Sequence, residues 1–215
     1  MTTANSELKS GFRNKRFQQI LLVMYVVIWF YFAIDPLYRP EWLLENYLVF
    51  AFLTLLILTY KKKSLSDLSY LFLTIFMILH AVGAHYGYSD VPIGFTIKEI
   101  FGFARNPYDR IVHFSYGLLF AYPIYEVLLR YAKFKDAWLY ILPVTFVLSL
   151  SSVYEIIEAI VAWTLPPEQY NPFIGLQGDM WDGFKDMLMA FTGVSITVSI
   201  IFISKLFSRS SRKYH

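Results

Sequence analysis

Ionisable side chains recur at helical spacing in the second half of this chain, and their types suit metal binding or acid–base chemistry. Asp109 and His113 are four residues apart, so both lie on one face of a helix. Glu155 and Glu158 are three residues apart and share a face in the same way. Three more acids follow at intervals of three and four residues: Asp179, Asp182 and Asp186. These intervals predict helical faces that carry carboxylate and imidazole groups.

Two further histidines, His80 and His85, precede this set. They are five residues apart, which is about 140° round a helix with ~3.6 residues per turn. They face together only if their helix ends near Gly83. For His80 alone, a structural role in the core, with its hydrogen bonds satisfied there, is as consistent with the sequence as a functional role.

Imidazole and carboxylate ligands without cysteine suit Zn²⁺, Mn²⁺ or Fe²⁺, and Mg²⁺ or Ca²⁺ where carboxylates predominate. The chain has no cysteine, which excludes disulfides, thiolate catalysis and Cys-ligated zinc or iron–sulfur sites. Carboxylates gathered at one place cannot all ionise without compensation, so we expect a divalent metal as cofactor. The expected ligands are His80, His85, Asp109, His113, Glu155, Asp179, Asp182 and Asp186.

Helix capping is the structural alternative for three of these acids. Asn106 and Pro107 have the types expected at an N-cap and a first helical position, and Asp109 follows third in that helix. Asp179 and Asp182 suit the start of the last helix in the same way. Capping explains the remaining members poorly, because they lie two turns inside a helix or near a C-terminus, where the macrodipole disfavours negative charge. These members are His113, Asp186, Glu155 and Glu158.

The side chains must be positioned by membrane helices, because the composition is that of a membrane protein. Of the 215 residues, 57% are hydrophobic and only 16% are charged, whereas a soluble domain carries about 25% charged residues. The apolar residues form blocks of roughly 18 to 22, a length that spans a bilayer at ~1.5 Å per residue. The sequence therefore predicts an all-α, polytopic membrane protein with about six transmembrane helices.

The predicted helices cover residues 17–34, 42–60, 68–86, 107–130, 138–163 and 180–207. An apolar stretch at 91–103 is too short to span a bilayer, so we expect it to lie in the interface or to dip into the membrane. Gly117 and Gly193 are expected to allow close helix packing on the same faces as the polar residues. The predicted organisation is a cytoplasmic segment at 1–16, one six-helix transmembrane domain at 17–207 and a cytoplasmic tail at 208–215.

The distribution of basic residues predicts the orientation of the chain. Fourteen of the nineteen Lys and Arg residues fall in the termini and in the loops after the second and fourth helices. These regions share one side, which places both termini in the cytoplasm. The candidate residues, which are three of the four histidines and six of the sixteen acids, then gather at the outer ends of four helices. The basic residues lie beside helix ends, so the net charge of +3 does not indicate nucleic-acid binding.

Several of these residues fall in segments that resemble a known family. The segments are H-A-V-G-A-H-Y, R-N-P-Y-D-R-I-V-H-F, Y-E-I-I-E and Q-G-D-M-W-D-G-F-K-D-M. They make the chain from His80 onward similar to the YjdF family of bacterial inner-membrane proteins. The resemblance implies a multi-pass protein of the bacterial inner membrane.

A weaker likeness connects the chain with VanZ-like membrane proteins. Residues 109–114 resemble the D-K-x-x-H-F motif of that group, with Arg110 in place of the Lys. Residues 186–193 resemble its D-x-x-x-N-x-x-G motif, with Ala190 in place of the Asn. VanZ-like proteins are linked to glycopeptide resistance and the cell envelope, which implies an envelope role by analogy.

The favoured function is a hydrolase or transferase that acts on a lipid headgroup or envelope precursor at the outer membrane face. His113 or Glu158 is then the general base, and Arg105 and Arg110 bind an anionic headgroup. One alternative is a transporter or ion-binding permease, although transporters usually bind substrate near the midplane between repeated halves, and the sequence shows no repeat. A noncatalytic assembly factor is the other alternative. Membrane lipids are the expected partners.

Overall fold

A computed structural model describes residues 14–164 and 177–211, and within them the regular structure is helical throughout. The helices are α1 Lys15–Ala33, α2 Arg39–Lys63, α3 Asp67–Tyr86, α4 Pro92–Phe101, α5 Tyr108–Arg130, α6 Trp138–Thr164 and α7 Asp182–Ser211. A single 3₁₀ turn, Tyr88–Asp90, lies between α3 and α4. The predicted all-α class is confirmed.

Six of the seven helices are long and apolar enough to cross a membrane. They correspond to the six predicted segments, with ends that differ by a few residues. Many of their large apolar side chains are exposed, for example Leu58 on α2 and Ile200 on α7. Such surfaces are unfavourable in water and favourable against lipid chains. The seventh helix, α4, has ten residues and lies in the stretch predicted to be too short to span.

Local sequence signals explain several helix ends. Asn14 caps α1 because its Oδ1 accepts the Arg16 N–H at 3.0 Å and the Phe17 N–H at 3.3 Å. Ser66 caps α3 by accepting the Ser69 N–H at 3.3 Å. Gly102 ends α4 with a φ of 66°, a left-handed conformation that glycine adopts without steric cost.

Residues Met1–Gly87 form one compact unit, in which α1, α2 and α3 pack on one another. Tyr25, Val49 and Met77 form its buried apolar core, one residue from each helix. Trp29 on α1 donates its indole N–H to Asn46 Oδ1 on α2 at 2.6 Å. This buried hydrogen bond fixes the register of the first two helices.

Residues Tyr88–His215 form a second compact unit, in which α5, α6 and α7 pack mutually. Its core consists of small and branched side chains with no solvent exposure: Ala121, Val147, Ala190 and Val194. Small residues at a helix interface let the backbones approach closely. The candidate site lies on these three helices, so their packing decides its geometry.

Two glycines set the separation of α5 and α7. A Cβ atom added at Gly117 would collide with the carbonyl oxygen of Ala190 and would lie 2.8 Å from its carbonyl carbon. A Cβ atom added at Gly193 would collide with the carbonyl oxygen of Phe114. The predicted role of both glycines in close packing is confirmed. Thr197 adds a hydrogen bond to the Leu118 carbonyl at 2.7 Å, farther along the same contact.

Candidate functional site

Three ionisable side chains meet where α5 and α7 face each other. Asp109 and His113 come from α5 and Asp186 comes from α7, and each offers one ligand atom within 4.8 Å of the others. His113 Nε2 lies 3.6 Å from Asp109 Oδ1. All three residues are buried, and Asp186 is 2% exposed. The spacing of four residues along α5 therefore does place the carboxylate and the imidazole on one face, against α7.

Glu155 on α6 contributes a fourth group. Its Oε1 lies 3.6 Å from His113 Nε2. Its carboxylate packs against Gly183 in the first turn of α7, where an added Cβ atom would lie 3.2 Å from the Glu155 carboxyl carbon. A carboxylate at a helix N-terminus is favoured by the macrodipole. Gly183 therefore matters to the site, because a larger residue there would displace Glu155.

Glu158 lies one helical turn after Glu155 and is also buried. The two carboxyl groups are close enough to interact. Glu155 and Glu158 therefore share one face of α6, as their spacing predicts.

The other predicted ligands on this unit are engaged by basic side chains. Asp182 binds both Arg105 and Arg110, the second at 3.3 Å. Asp179 Oδ2 accepts hydrogen bonds at 2.6 Å from Lys185 Nζ and at 2.6 Å from Arg110 Nη2. Lys185 and then Arg110 hold the pKa of the Asp179 carboxyl well below its ordinary value. Asp179 and Asp182 therefore form an ion-pair network, and neither belongs to the three-residue group.

Asp179 precedes α7, and its Oδ1 accepts the Trp181 N–H at 3.1 Å. Trp181 lies just before the first residue of α7, so this bond closes the turn that leads into the helix. The predicted stripe of three acids is therefore incomplete, because the helix begins at Asp182 and only Asp182 and Asp186 lie on it. Asn106 caps α5 by accepting the Tyr108 N–H at 3.0 Å.

The site has more carboxylates than basic partners. Arg105 reaches Asp109 at 3.7 Å in addition to Asp182, and the other two bases contact Asp179 and Asp182. Among the described residues, Asp186 Oδ1 and Glu155 Oε1 are buried with no hydrogen-bond partner. Buried carboxylate oxygens without partners are costly. Both oxygens belong to side chains that lie beside His113.

His80 and His85 belong to the first unit. His80 Nε2 lies 3.9 Å from Glu45 Oε2, and both residues are buried. His85 Nδ1 lies 3.0 Å from the Phe32 carbonyl oxygen. Since α3 continues through Gly83 to Tyr86, the condition under which the two histidines would face together is not met. Their predicted role as metal ligands stays a prediction.

Glu45 and Gln177 were not predicted from the sequence, and Asn106 was predicted only as a helix cap. Glu45 is a buried acid on α2 with His80 beside it. Asn106 has no solvent exposure and donates to the Val91 carbonyl at 3.0 Å. Gln177 forms a reciprocal pair with the Asn106 main chain: its Oε1 accepts the N–H at 2.9 Å, and its Nε2 donates to the carbonyl at 3.1 Å. This pair holds the start of α5 next to the segment that leads into α7.

The comparisons with known proteins agree on one family. The family model described as "Predicted membrane protein (DUF2238)" matches residues 17–206. The chain is 33% identical over 189 residues to "Inner membrane protein YjdF" of Escherichia coli (strain K12). The aligned residues cover 87% of this chain and 89% of the relative. No solved structure matches the chain.

These findings confirm the predicted resemblance and, with the six spanning helices, the predicted location as a multi-pass inner-membrane protein. The likeness to VanZ-like proteins stays a prediction. The chain belongs to the DUF2238 family of predicted membrane proteins.

Proposed function

We propose that this protein is a metal-dependent hydrolase or transferase of the cell envelope that acts on a lipid headgroup or envelope precursor. The observation that carries the proposal is the convergence of ligand atoms from Asp109, His113 and Asp186 within 4.8 Å. Glu155 lies close enough to His113 to complete a set of one imidazole and three carboxylates. Buried ionisable groups on membrane helices are costly and usually functional.

The donor set indicates which ions fit. One nitrogen and three oxygens, with no sulfur, suit Zn²⁺, Mn²⁺ or Fe²⁺ better than Mg²⁺ or Ca²⁺. A bound divalent cation would offset two of the negative charges that the basic residues leave unbalanced. Such an ion polarises a substrate oxygen and lowers the pKa of a bound water.

The protein's own groups have separate roles in this proposal. Asp109, Asp186 and Glu155 hold the cation, with His113 as either a ligand or the general base. Glu158 is the alternative base, because it is buried one helical turn after Glu155 on α6. Arg105 and Arg110 are the candidates for binding an anionic headgroup, because guanidinium groups match planar and phosphate anions.

The proposed location of the site is the outer membrane face. Its support is the excess of Lys and Arg in the termini and in the loops after the second and fourth long helices. An envelope precursor or lipid headgroup would then reach the site from the periplasmic side.

Metal content and thermal stability test the proposal together. Full-length protein purified in detergent should contain a stoichiometric divalent metal, and Asp186→Asn and His113→Ala should lose it. Restoring Zn²⁺ or Mn²⁺ after chelation should raise the wild-type Tm, because a ligand that binds only the folded state stabilises it. Neither variant should show this rise.

The matched control is Glu126→Gln. It removes a buried carboxylate from the same helix, α5, but Glu126 pairs with Arg130 and lies nearly five turns beyond Asp109. This variant should keep the wild-type metal content and the metal-dependent rise in Tm. A wild-type protein without bound metal, whose Tm is the same with chelator and with each ion, would refute the metal-dependent function.

A further inference from the structure

The ion-pair network beside the proposed cation site contains one carboxylate that differs from the rest. Asp179 lies outside the helices, in the turn before α7, whereas Asp182 is buried in the first turn of α7 with its side chain 4% exposed. Asp182 is held by two guanidinium groups. Asp179 is held by Arg110 and Lys185, whose side chains are 24% and 42% exposed. The two bases that hold Asp179, Arg110 and Lys185, are therefore accessible to an external ligand.

Both bases of this pair contact the same atom. Arg110 Nη2 and Lys185 Nζ each lie 2.6 Å from Asp179 Oδ2. A single anionic oxygen shared by a guanidinium and an ammonium is the arrangement that a phosphate oxygen takes with such side chains. The Asp179 carboxylate therefore occupies a position in which a phosphate oxygen would make the same contacts.

The charge balance favours exchange of one anion for another. Arg105 is committed to Asp182 and Asp109, so it belongs to the buried part of the network. Arg110 and Lys185 would keep excess positive charge if Asp179 moved away without replacement. Because Asp179 is on a turn and not in a helix, its displacement does not require any membrane helix to unfold.

Three apolar residues lie close to Asp179 and Lys185 in sequence. They are Met180, Trp181 and Phe184, and all three are largely exposed. Aromatic side chains next to basic groups are typical of the region where lipid headgroups meet lipid chains. A free inorganic anion would gain nothing from these side chains, whereas a lipid would contact them with its chains.

We infer that Arg110 and Lys185 form a binding site for the phosphate group of a membrane lipid, and that Asp179 occupies this site until the lipid displaces it. The inference rests on the proposed function and deepens it, since it names a phosphate-bearing lipid as the substrate class. Arg105 then has a positioning role, because it joins Asp182 to the cation ligand Asp109.

The test compares phosphate binding by full-length protein in detergent with chelator present. The two probes are inorganic phosphate and a short-chain phosphatidic acid, and their Kd values are measured by calorimetry. Asp179→Asn keeps the side-chain size but removes the competing charge, so it should tighten the binding of both probes. We expect about a tenfold decrease in Kd, equivalent to ~1.4 kcal/mol. Lys185→Gln should weaken the binding of both probes.

Two further variants make the result specific. Lys98→Gln on α4 removes a basic residue with no ion pair among the described residues, so it should bind both probes like wild type. Trp181→Ala should weaken binding of the lipid probe alone. Unchanged or weaker binding by Asp179→Asn, or wild-type binding by Lys185→Gln, would overturn the inference. A response confined to inorganic phosphate would overturn its lipid part.

Asp186→Asn separates this inference from the metal hypothesis. It should lose bound metal, and adding Asp179→Asn to this variant should still tighten phosphate binding measured with chelator. If wild type binds no metal while Asp179→Asn still tightens phosphate binding, the phosphate site stands and the metal-dependent function fails. If metal binds normally and Asp179→Asn changes nothing, the phosphate site fails and the metal site stands.

Discussion

The close contact between α5 and α7 makes Gly117→Ala a test of how packing controls the site. The added Cβ atom would lie 2.8 Å from the Ala190 carbonyl carbon and 2.9 Å from the Val194 nitrogen. Carbon atoms in good contact are about 3.5 Å apart or more. The two backbones must therefore separate by at least roughly 0.7 Å, and the still closer Ala190 carbonyl oxygen requires more. The atoms in the way belong to a helix backbone and not to a flexible side chain.

A displacement of this size should both lower the free energy of unfolding and disturb metal binding. Overpacking usually costs about 1–3 kcal/mol, and a rigid backbone neighbour places this variant at the upper end. For a chain of this size, ~3 kcal/mol corresponds to a decrease in Tm of roughly 6–12 °C. Metal–ligand distances tolerate only about 0.2 Å. Since Asp109 and His113 are on α5 and Asp186 is on α7, the metal-dependent rise in Tm should also be lost.

The assay is thermal unfolding followed by intrinsic tryptophan fluorescence, with chelator and with Zn²⁺ or Mn²⁺ restored. Val127→Ile is the matched control, because it adds one carbon to an exposed position on the same helix. This control should behave like wild type in both conditions. The reasoning is refuted if Gly117→Ala has the wild-type Tm, or if it is destabilised yet keeps the full metal-dependent rise.

Three further outcomes are expected. A cysteine at Ser89 should react with an impermeant thiol reagent added to intact cells and one at Ser64 should not; the reverse result would place the site in the cytoplasm. Asn106→Ala leaves the buried Tyr108 N–H without its acceptor and removes one of the two donors to the Val91 carbonyl, which keeps the Gly94 N–H. It should destabilise by about 2–3 kcal/mol, against ~1 kcal/mol for the exposed cap change Asn14→Ala. The depressed pKa of the Asp179 carboxyl stabilises the fold at pH values above the ordinary carboxyl pKa of about 4, and this stabilisation is lost as the pH falls below that value. The Tm of wild type should therefore decrease more than the Tm of Asp179→Asn between about pH 5 and 3. Parallel curves of Tm against pH for the two proteins would contradict this.

Most of the fold was predictable because hydropathy and length identify membrane helices directly. The six long helices have the predicted number and order. The ends were less predictable, since they depend on side-chain caps and on how far a polar helix end continues. α2 shows this: its predicted end was at residue 60, but the helix continues through the three lysines to Lys63.

The helical spacings predicted part of the site for a simple geometric reason. Residues four apart on one helix share a face whatever the fold, so the proximity of Asp109 and His113 followed from the sequence alone. Their meeting with Asp186 depended on the pairing of α5 and α7, which Gly117 and Gly193 suggested.

The choice of partners among the charges was not predictable. Arg105 and Asp182 are 77 residues apart, and nothing in their spacing shows which acid each base contacts. The roles of Gly183 and Gln177 depend on the same tertiary packing. The structure therefore separates two acids with basic partners, Asp179 and Asp182, from the acids left for a cation.

The glycine contact between α5 and α7 also limits how this family can change. Asp109 precedes Gly117 by eight residues, and Asp186 precedes Gly193 by seven. One inserted or deleted residue in either span would rotate the acid by about 100° and shift it by ~1.5 Å relative to the glycine. Relatives with the same site should therefore differ by substitution within these two spans and should keep the length of both.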